Sequence, residues 1–243
     1  MFQKISLFIK YSYKKVLQII GIIKYPDIIT KVKRESLTYL GNDALLDLYK
    51  QVYRIEKDNI NGIFIEAGCA LGGSAMVIAV PKSKNRHFNI YDVFDMIPPP
   101  SEKDGNDVQK RYDDIIGGSS KGINGKEYYG YQDNLYEKVI DTFYKYNIPI
   151  KENNINLIKG LFQDTINIKE DVSLAHIDGD WYESVLTCLE SIEPHLVIGG
   201  VLIIDDYYCW SGCKKAVDEY FADKKSKFLF KKHERLHIIR KSK

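Results

Sequence analysis

From residue 62 to the carboxyl terminus, apolar runs of strand length alternate with stretches whose apolar positions recur at helical spacing. GIFIEAG (62–68), HFNIYDV (87–93), NINLIKG (154–160), VSLAHID (172–178) and VLIIDDY (201–207) read as strands. GGSAMVIAV (72–80), NLYEKVIDTFYKYN (134–147), ESVLTCLESIEPHL (183–196) and WSGCKKAVDEYFADK (210–224) read as the helices between and after them. Strands that are apolar throughout, joined by helix-length crossovers, predict an α/β domain with a parallel sheet covered on both faces. KFLFKK (227–232) and RLHIIRK (235–241) are short enough to pair as an antiparallel end to that sheet.

Two regions break the rhythm. The segment from about 96 to 134 is longer than an ordinary strand-to-helix connection and carries Tyr128, Tyr129 and Tyr131. Long ordered loops in compact domains serve function, and a partly helical lid is expected there. The first 34 residues carry eight lysines and arginines against one acid, Asp27, interleaved with Phe2, Ile5, Phe8, Ile9, Val16, Ile19, Ile20 and Ile23. This predicts a basic amphipathic helical extension over about 1–40, ahead of a main domain at 41–243. Such an extension packs on its own domain or a second subunit, or lies on anionic lipid; a homodimer and a peripheral membrane contact through 1–34 are the partners it suggests.

Composition narrows the field only a little. With 243 residues, 44% hydrophobic and 28% charged, the chain is an ordinary globular size and mixture. A net charge of +2 gives no electrostatic ground for nucleic-acid binding. No apolar run reaches the roughly 20 residues of a spanning helix, and Cys69, Cys188, Cys209 and Cys213 form neither a CxxC pair nor a disulfide framework. A reduced, cytoplasmic protein is the expectation.

Ligands of open parallel sheets bind outside the carboxyl ends of the strands, and acids gather there. The first strand ends in Glu66-Ala67-Gly68 with Gly72, Gly73 and Ser74 following; the second ends in Asp92, the fourth in Asp178-Gly179-Asp180, the fifth in Asp205-Asp206. The glycines are spaced GxxxGG, not the GxGxxG of a nicotinamide site, and Glu66 opposes a pyrophosphate. A carboxylate there suits a cationic ligand, and Asp92 is placed to accept from ribose hydroxyls. Together they point to S-adenosylmethionine. Asp178, Asp205 and Asp206 repel one another unless a cation sits between them, and an all-oxygen set favours Mg²⁺, Mn²⁺ or Ca²⁺ over zinc. The competing expectation is that these acids are solvated or cap the following helices. His176 is expected in the core.

The stretches EAGCALGGS, YDVFDMIPPP, KGLFQDT, HIDGDWYESV, GGVLIIDDYYCWSGCKKAVDEYF and RLHIIRK, in that order, resemble the macrocin O-methyltransferase family. The resemblance implies a Rossmann-like class I methyltransferase fold: a seven-stranded, mostly parallel sheet with its last strand antiparallel. It implies Mg²⁺-dependent methylation of a sugar hydroxyl on a glycoside or polysaccharide precursor. By the same resemblance Glu66, Ala67, Gly68, Gly72, Ser74 and Asp92 hold the methionine and ribose, Phe162, Gln163 and Asp164 flank the adenine, and Asp178, Asp205 and Asp206 ligate the metal. Asp178 or Asp180 is the general base, and Tyr128, Tyr129, Tyr131, Trp181 and Tyr182 offer faces for a sugar ring. Trp181 stands where the family commonly has Leu, and the basic amino-terminal stretch has no clear counterpart. The alternatives are a nicotinamide-dependent oxidoreductase and a non-catalytic S-adenosylmethionine-binding scaffold.

Overall fold

The computed structural model describes residues 25–242. Seven strands form one sheet in the order β3-β2-β1-β4-β5-β7-β6. They are β1 (Ile63–Ala67), β2 (Phe88–Asp92), β3 (Ile155–Lys159), β4 (Val172–Ile177), β5 (Leu196–Ile204), β6 (Phe228–Lys232) and β7 (Leu236–Arg240). β1 through β5 pair in parallel, and β7 runs antiparallel to both β5 and β6. β1 and β4 are buried at every position, as strands covered on both faces must be. The reversal of strand order on either side of β1 and β4 opens the sheet's carboxyl edge there, where a ligand is accommodated.

Each face has its own apolar layer. Phe64, Phe88 and Leu174 point to a cluster with helices α1 (Asp27–Arg34), α2 (Asn42–Lys57), α3 (Gly73–Ala79) and α5 (Leu135–Lys145). Ile65, Ala175, Ile177 and Ile204 point to the other, with α7 (Tyr182–Ile192) and α8 (Ser211–Tyr220). The remaining helices are α4 (Asn106–Ile116), within the 96–134 segment, and the single turn α6 (Phe162–Thr165).

The pattern reading and the structure part company at β5, which starts five residues before the expected VLIIDDY. Its pairing with β4 jumps register between Val172 and Leu174, so that residues 197–200 bulge out. Gly199 takes φ +81° in that bulge, a conformation glycine adopts without Cβ strain. VIGG therefore reads as a helix exit in the sequence and is an irregular strand in the fold.

Of the expected amino-terminal extension, residues 1–24 lie outside the described residues. The rest is integrated into the domain: Ile28, Ile29 and Val32 of α1 are buried in the first apolar layer. The strap that follows carries the Leu37 carbonyl, which accepts from Gly73 N at 3.0 Å. Among the described residues no helix is long and apolar enough to cross a membrane.

Glu193, at the end of α7, ties α7 to α8 and to the last strand. Its carboxylate accepts from Tyr220 Oη at 2.8 Å and Lys224 Nζ at 3.0 Å, and pairs with Arg240. Burial opposes its ionisation, but the Tyr220 hydroxyl, Lys224 and Arg240 outweigh burial and hold the carboxyl below its ordinary value. Glu193→Gln is expected to cost about 2–4 kcal/mol in denaturant unfolding at pH 7. Because the folded carboxyl is the stronger acid, that contribution is present above the unfolded value of about 4.3 and is lost as pH falls through the folded one. The wild-type and Gln variant curves should therefore converge in acid.

Candidate active site

A cleft of about 280 Å³ opens at the carboxyl ends of β1, β2, β4 and β5, with Asp92, Asp178, Asp180, Asp205 and Asp206 on its walls. A smaller cleft of about 60 Å³ shares Gly68, Asp92, Asp178 and Asp180 with it and extends to Phe162 and Gln163. The two together form an elongated channel across the strand ends.

The channel's floor is the turn after β1. Gly68 sits at φ +89°, and a Cβ there would stand 1.9 Å from the Asp178 carbonyl oxygen, so only glycine lets β1 and β4 approach this closely. Asp92 organises the same turn: its Oδ2 accepts from Cys69 N at 2.7 Å and Ala70 N at 2.9 Å, and its Oδ1 from Phe94 N at 2.7 Å. Burial raises the Asp92 carboxyl despite those amides. Ala70, Phe94 and Asp180, none of them glycine, all take positive φ at this edge, a strain that clusters at ligand sites.

Glu66 and Ser74 lie one layer below the channel. Ser74 Oγ donates to Glu66 Oε1, both residues are buried, and Glu66 Oε2 has no hydrogen-bond partner. His176 is fully buried beside them, with Nδ1 3.4 Å from Glu66 and Nε2 3.5 Å from Asp205 Oδ1. Burial alone would lower this imidazole, but Glu66 and Asp205 raise it to about 10. It is a core residue, positively charged, joining the β1 acid to the β5 acid.

Asp178, Asp205 and Asp206 each place a carboxylate oxygen within 4.8 Å of the others. Burial pushes Asp178 well above its ordinary value, and the charges of Asp205 and Asp206 push it further; Asp206 rises for the same reasons. Burial would raise Asp205 too, but His176 and Arg235 outweigh it and keep this carboxyl low. Arg235 Nε donates to Asp205 Oδ1 at 2.6 Å. Three oxygen donors this close, two of them with carboxyls pushed up by burial and by neighbouring carboxylates, fit a hard divalent cation. Asp180 adjoins the trio: its backbone N–H donates to Asp206 Oδ2 at 3.2 Å. Trp210 Nε1 donates to its Oδ1 at 3.0 Å, and its carboxyl is raised to about 6, chiefly by burial.

The acids do not cap the helices that follow them; the 96–134 segment does. Asp104 Oδ1 accepts from Tyr182 N at 2.8 Å at the start of α7, and Asp107 Oδ2 accepts from Ser211 N at 2.9 Å at the start of α8. With those amides satisfied from the lid, the strand-end carboxylates are left facing the channel. Trp181 Nε1 donates to the Pro98 carbonyl at 3.0 Å, and Asn124 Nδ2 donates to Ser36 Oγ at 2.8 Å. The segment is thus a cover fastened to α7, α8 and the amino-terminal strap.

Of the aromatics singled out in the sequence, Tyr128, Tyr129 and Trp181 line the channel. Tyr131 does not: its hydroxyl donates to the Ile115 carbonyl and accepts from Ser120 N, bracing the cover. Tyr182 does not either, since its hydroxyl donates to Glu219 at 2.6 Å and Lys103 lies over its ring. Phe162 and Gln163 line the smaller cleft, whereas Asp164 is exposed on α6 outside it. Sequence reading passed over Arg111, Arg235, Trp210, Asp104 and Asp107. The roles of the last four arise from contacts across 30 to 104 residues of chain, which no local spacing reveals.

The family profile described as macrocin O-methyltransferase (TylF) matches residues 30–232. Demethyldecarbamoylnovobiocin O-methyltransferase of Streptomyces niveus is 25% identical over 195 residues, 76% of this chain and 68% of that protein. A Streptomyces olivaceus enzyme described as an 8-demethyl-8-(2,3-dimethoxy-alpha-L-rhamnosyl)-tetracenomycin-C 4'-O-methyltransferase is 27% identical over 193 residues, 75% of this chain and 67% of that one. Among solved structures, the O-methyltransferase NovP superposes with a TM-score of 0.69 at 23% identity, covering 85% of this chain and 83% of its own. An SAH-bound methyltransferase from Podospora anserina superposes at 0.57 with 14% identity, over 96% of both chains. The nicotinamide-dependent and non-catalytic alternatives are set aside: the chain belongs to the macrocin O-methyltransferase family and is an S-adenosylmethionine-dependent O-methyltransferase.

Proposed function

We propose that the protein methylates a hydroxyl of a sugar-bearing acceptor and needs a divalent cation, Mg²⁺ or Mn²⁺, to do so. The observation that carries this reading is the carboxylate trio of half-buried Asp178 and buried Asp205 and Asp206, with Asp180 held beside it by the Trp210 N–H. The sugar acceptor follows the relatives' printed substrates, which include a rhamnosyl tetracenomycin, and the aromatic walls given by Tyr128, Tyr129 and Trp181.

S-adenosylmethionine supplies the methyl group and its sulfonium leaving group. The smaller cleft, with Phe162 and Gln163, suits its adenine, and the turn that Asp92 organises suits its ribose and methionine. Glu66 acts from beneath, fixing Ser74 at the start of α3 and offering its unpartnered Oε2 toward the cofactor turn. A divalent cation held by Asp178, Asp205 and Asp206 supplies the charge that acidifies an acceptor hydroxyl.

Asp180 is the general base. It accepts the hydroxyl proton as the oxygen–methyl bond forms and the sulfur–methyl bond breaks. Its carboxyl, raised to about 6, is a better base than an ordinary aspartate, and the Trp210 N–H fixes its orientation. Asp178 belongs to the trio instead. Arg235 and His176 both face Asp205 Oδ1 and hold it in place.

Calorimetric titration with S-adenosylhomocysteine is expected to show micromolar binding, and Asp92→Ala to weaken it at least about tenfold by loosening the Cys69–Ala70 turn. Gly68→Ala should abolish binding and lower the melting temperature. Transfer from labelled S-adenosylmethionine to rhamnosylated acceptors should need Mg²⁺ or Mn²⁺ and stop with chelator. Asp180→Asn is expected to slow the transfer about 10²–10⁴-fold while leaving S-adenosylhomocysteine affinity within about threefold. Full transfer in chelator refutes the cation requirement, and full activity of Asp180→Asn refutes the base assignment.

A further inference from the structure

Arg111, on the channel-facing side of α4, has no oxygen partner among the described residues. Every other arginine among the described residues has one: Arg34 pairs with Glu35, Arg54 donates to the Gly199 carbonyl, Arg86 pairs with Glu56, Arg235 with Asp205 and Arg240 with Glu193. Among the described residues Arg111 makes a ring contact, with its guanidinium carbon 5.6 Å from the centroid of Tyr128, and its charge acts on Asp180. It is half-buried and lines the larger cleft together with Tyr39, Ile97 and Tyr128. Its helix is fixed at its first turn by the Asp107–Ser211 contact, so the guanidinium is presented from a held element. A planar guanidinium with its donors free is a receptor for a carboxylate or phosphate, which it binds through paired N–H groups.

Charge across the cleft supports this. Arg235 already offsets Asp205, and a cation on the trio would offset two further acids. Arg111 is then available to a group brought by the acceptor. Resting on the acceptor site proposed above, we infer that the acceptor carries an oxyanion, phosphate or carboxylate, next to the sugar that is methylated, and that Arg111 reads it. Arg111 is in this account a specificity-determining residue: the aromatic walls take the sugar face and the guanidinium selects charged acceptors over neutral ones.

Full-length protein loaded with S-adenosylhomocysteine and Mg²⁺ is titrated with α-D-glucose 1-phosphate, D-glucuronate and methyl α-D-glucopyranoside, following the fluorescence of Trp181 and Trp210, which line the cleft. At least one charged sugar is expected to bind about tenfold or more tightly than the neutral glycoside. Arg111→Gln should level the three affinities, and Arg111→Lys should keep part of the preference. Preference for the phosphate alone or the glucuronate alone tells which oxyanion is read. Equal affinities in the wild type, including no binding by any of the three, or a charged preference that survives in Arg111→Gln, overturns the inference. A change only in the pH profile of transfer, with the preference intact, would assign Arg111 to tuning Asp180 and overturn it too. S-adenosylhomocysteine binding to the wild type is measured first, so failure of the methyltransferase site is recognised separately from failure of the anion preference.

Discussion

Four aspartate carboxylates, two buried and two half-buried, meet at the ends of two neighbouring strands. Like charges at this spacing in a low dielectric repel strongly, and each would be driven to keep its proton. Burial and the neighbouring carboxylates push Asp178 and Asp206 well above their ordinary range, while Asp205 is kept low because His176 and Arg235 lend it positive charge. Much of the surrounding structure accommodates this concentration of charge. β7 carries Arg235 to the rim beside β5, and β4 carries His176 beneath it, between Glu66 and Asp205.

The cover completes the arrangement. Helix starts normally draw nearby carboxylates to their free amides, and the acids at the ends of β4 and β5 are the nearest in sequence. Asp104 and Asp107 take those positions from above, which leaves Asp178, Asp180 and Asp206 to the channel. Fastening the cover at both helix starts also sets the distance between the aromatic walls and the acids, so specificity and chemistry share one set of contacts. The opposite end of the cover is tied to the amino-terminal strap through Ser36 and Glu35.

Much of the fold was legible because parallel strands buried on both faces leave uninterrupted apolar runs, as in VSLAHI and the run before Asp205. The reversed final strand followed from two short runs separated by only a few residues. β5 was the exception: its first residues are interrupted by Gly199 and Gly200, and a bulge has no period to detect. The strand-end acids were visible because binding at the carboxyl edge of an open parallel sheet converts topology into proximity. Arg111 and Arg235 were not, since nothing local distinguishes them from solvated charges. Glu66 was expected at the cofactor, and its place one layer beneath the channel depends on the face that it shares with Phe64, opposite Ile63, Ile65 and Ala67. Tyr131 and Tyr182 carried the same aromatic signal as Tyr128 and Trp181, and only the packing of the cover separates wall from brace.

The most direct test of the account is the thermal stability of the wild type and Asp206→Asn, each with chelator and with Mg²⁺ or Mn²⁺. Relief of repulsion should make the Asn variant melt about 2–4 °C above the wild type in chelator. The cation should raise the wild type by several degrees and leave the variant nearly unmoved, reversing their order. Equal melting temperatures in chelator, together with no response of the wild type to either cation, would contradict the claim that these carboxylates form a site built around missing positive charge.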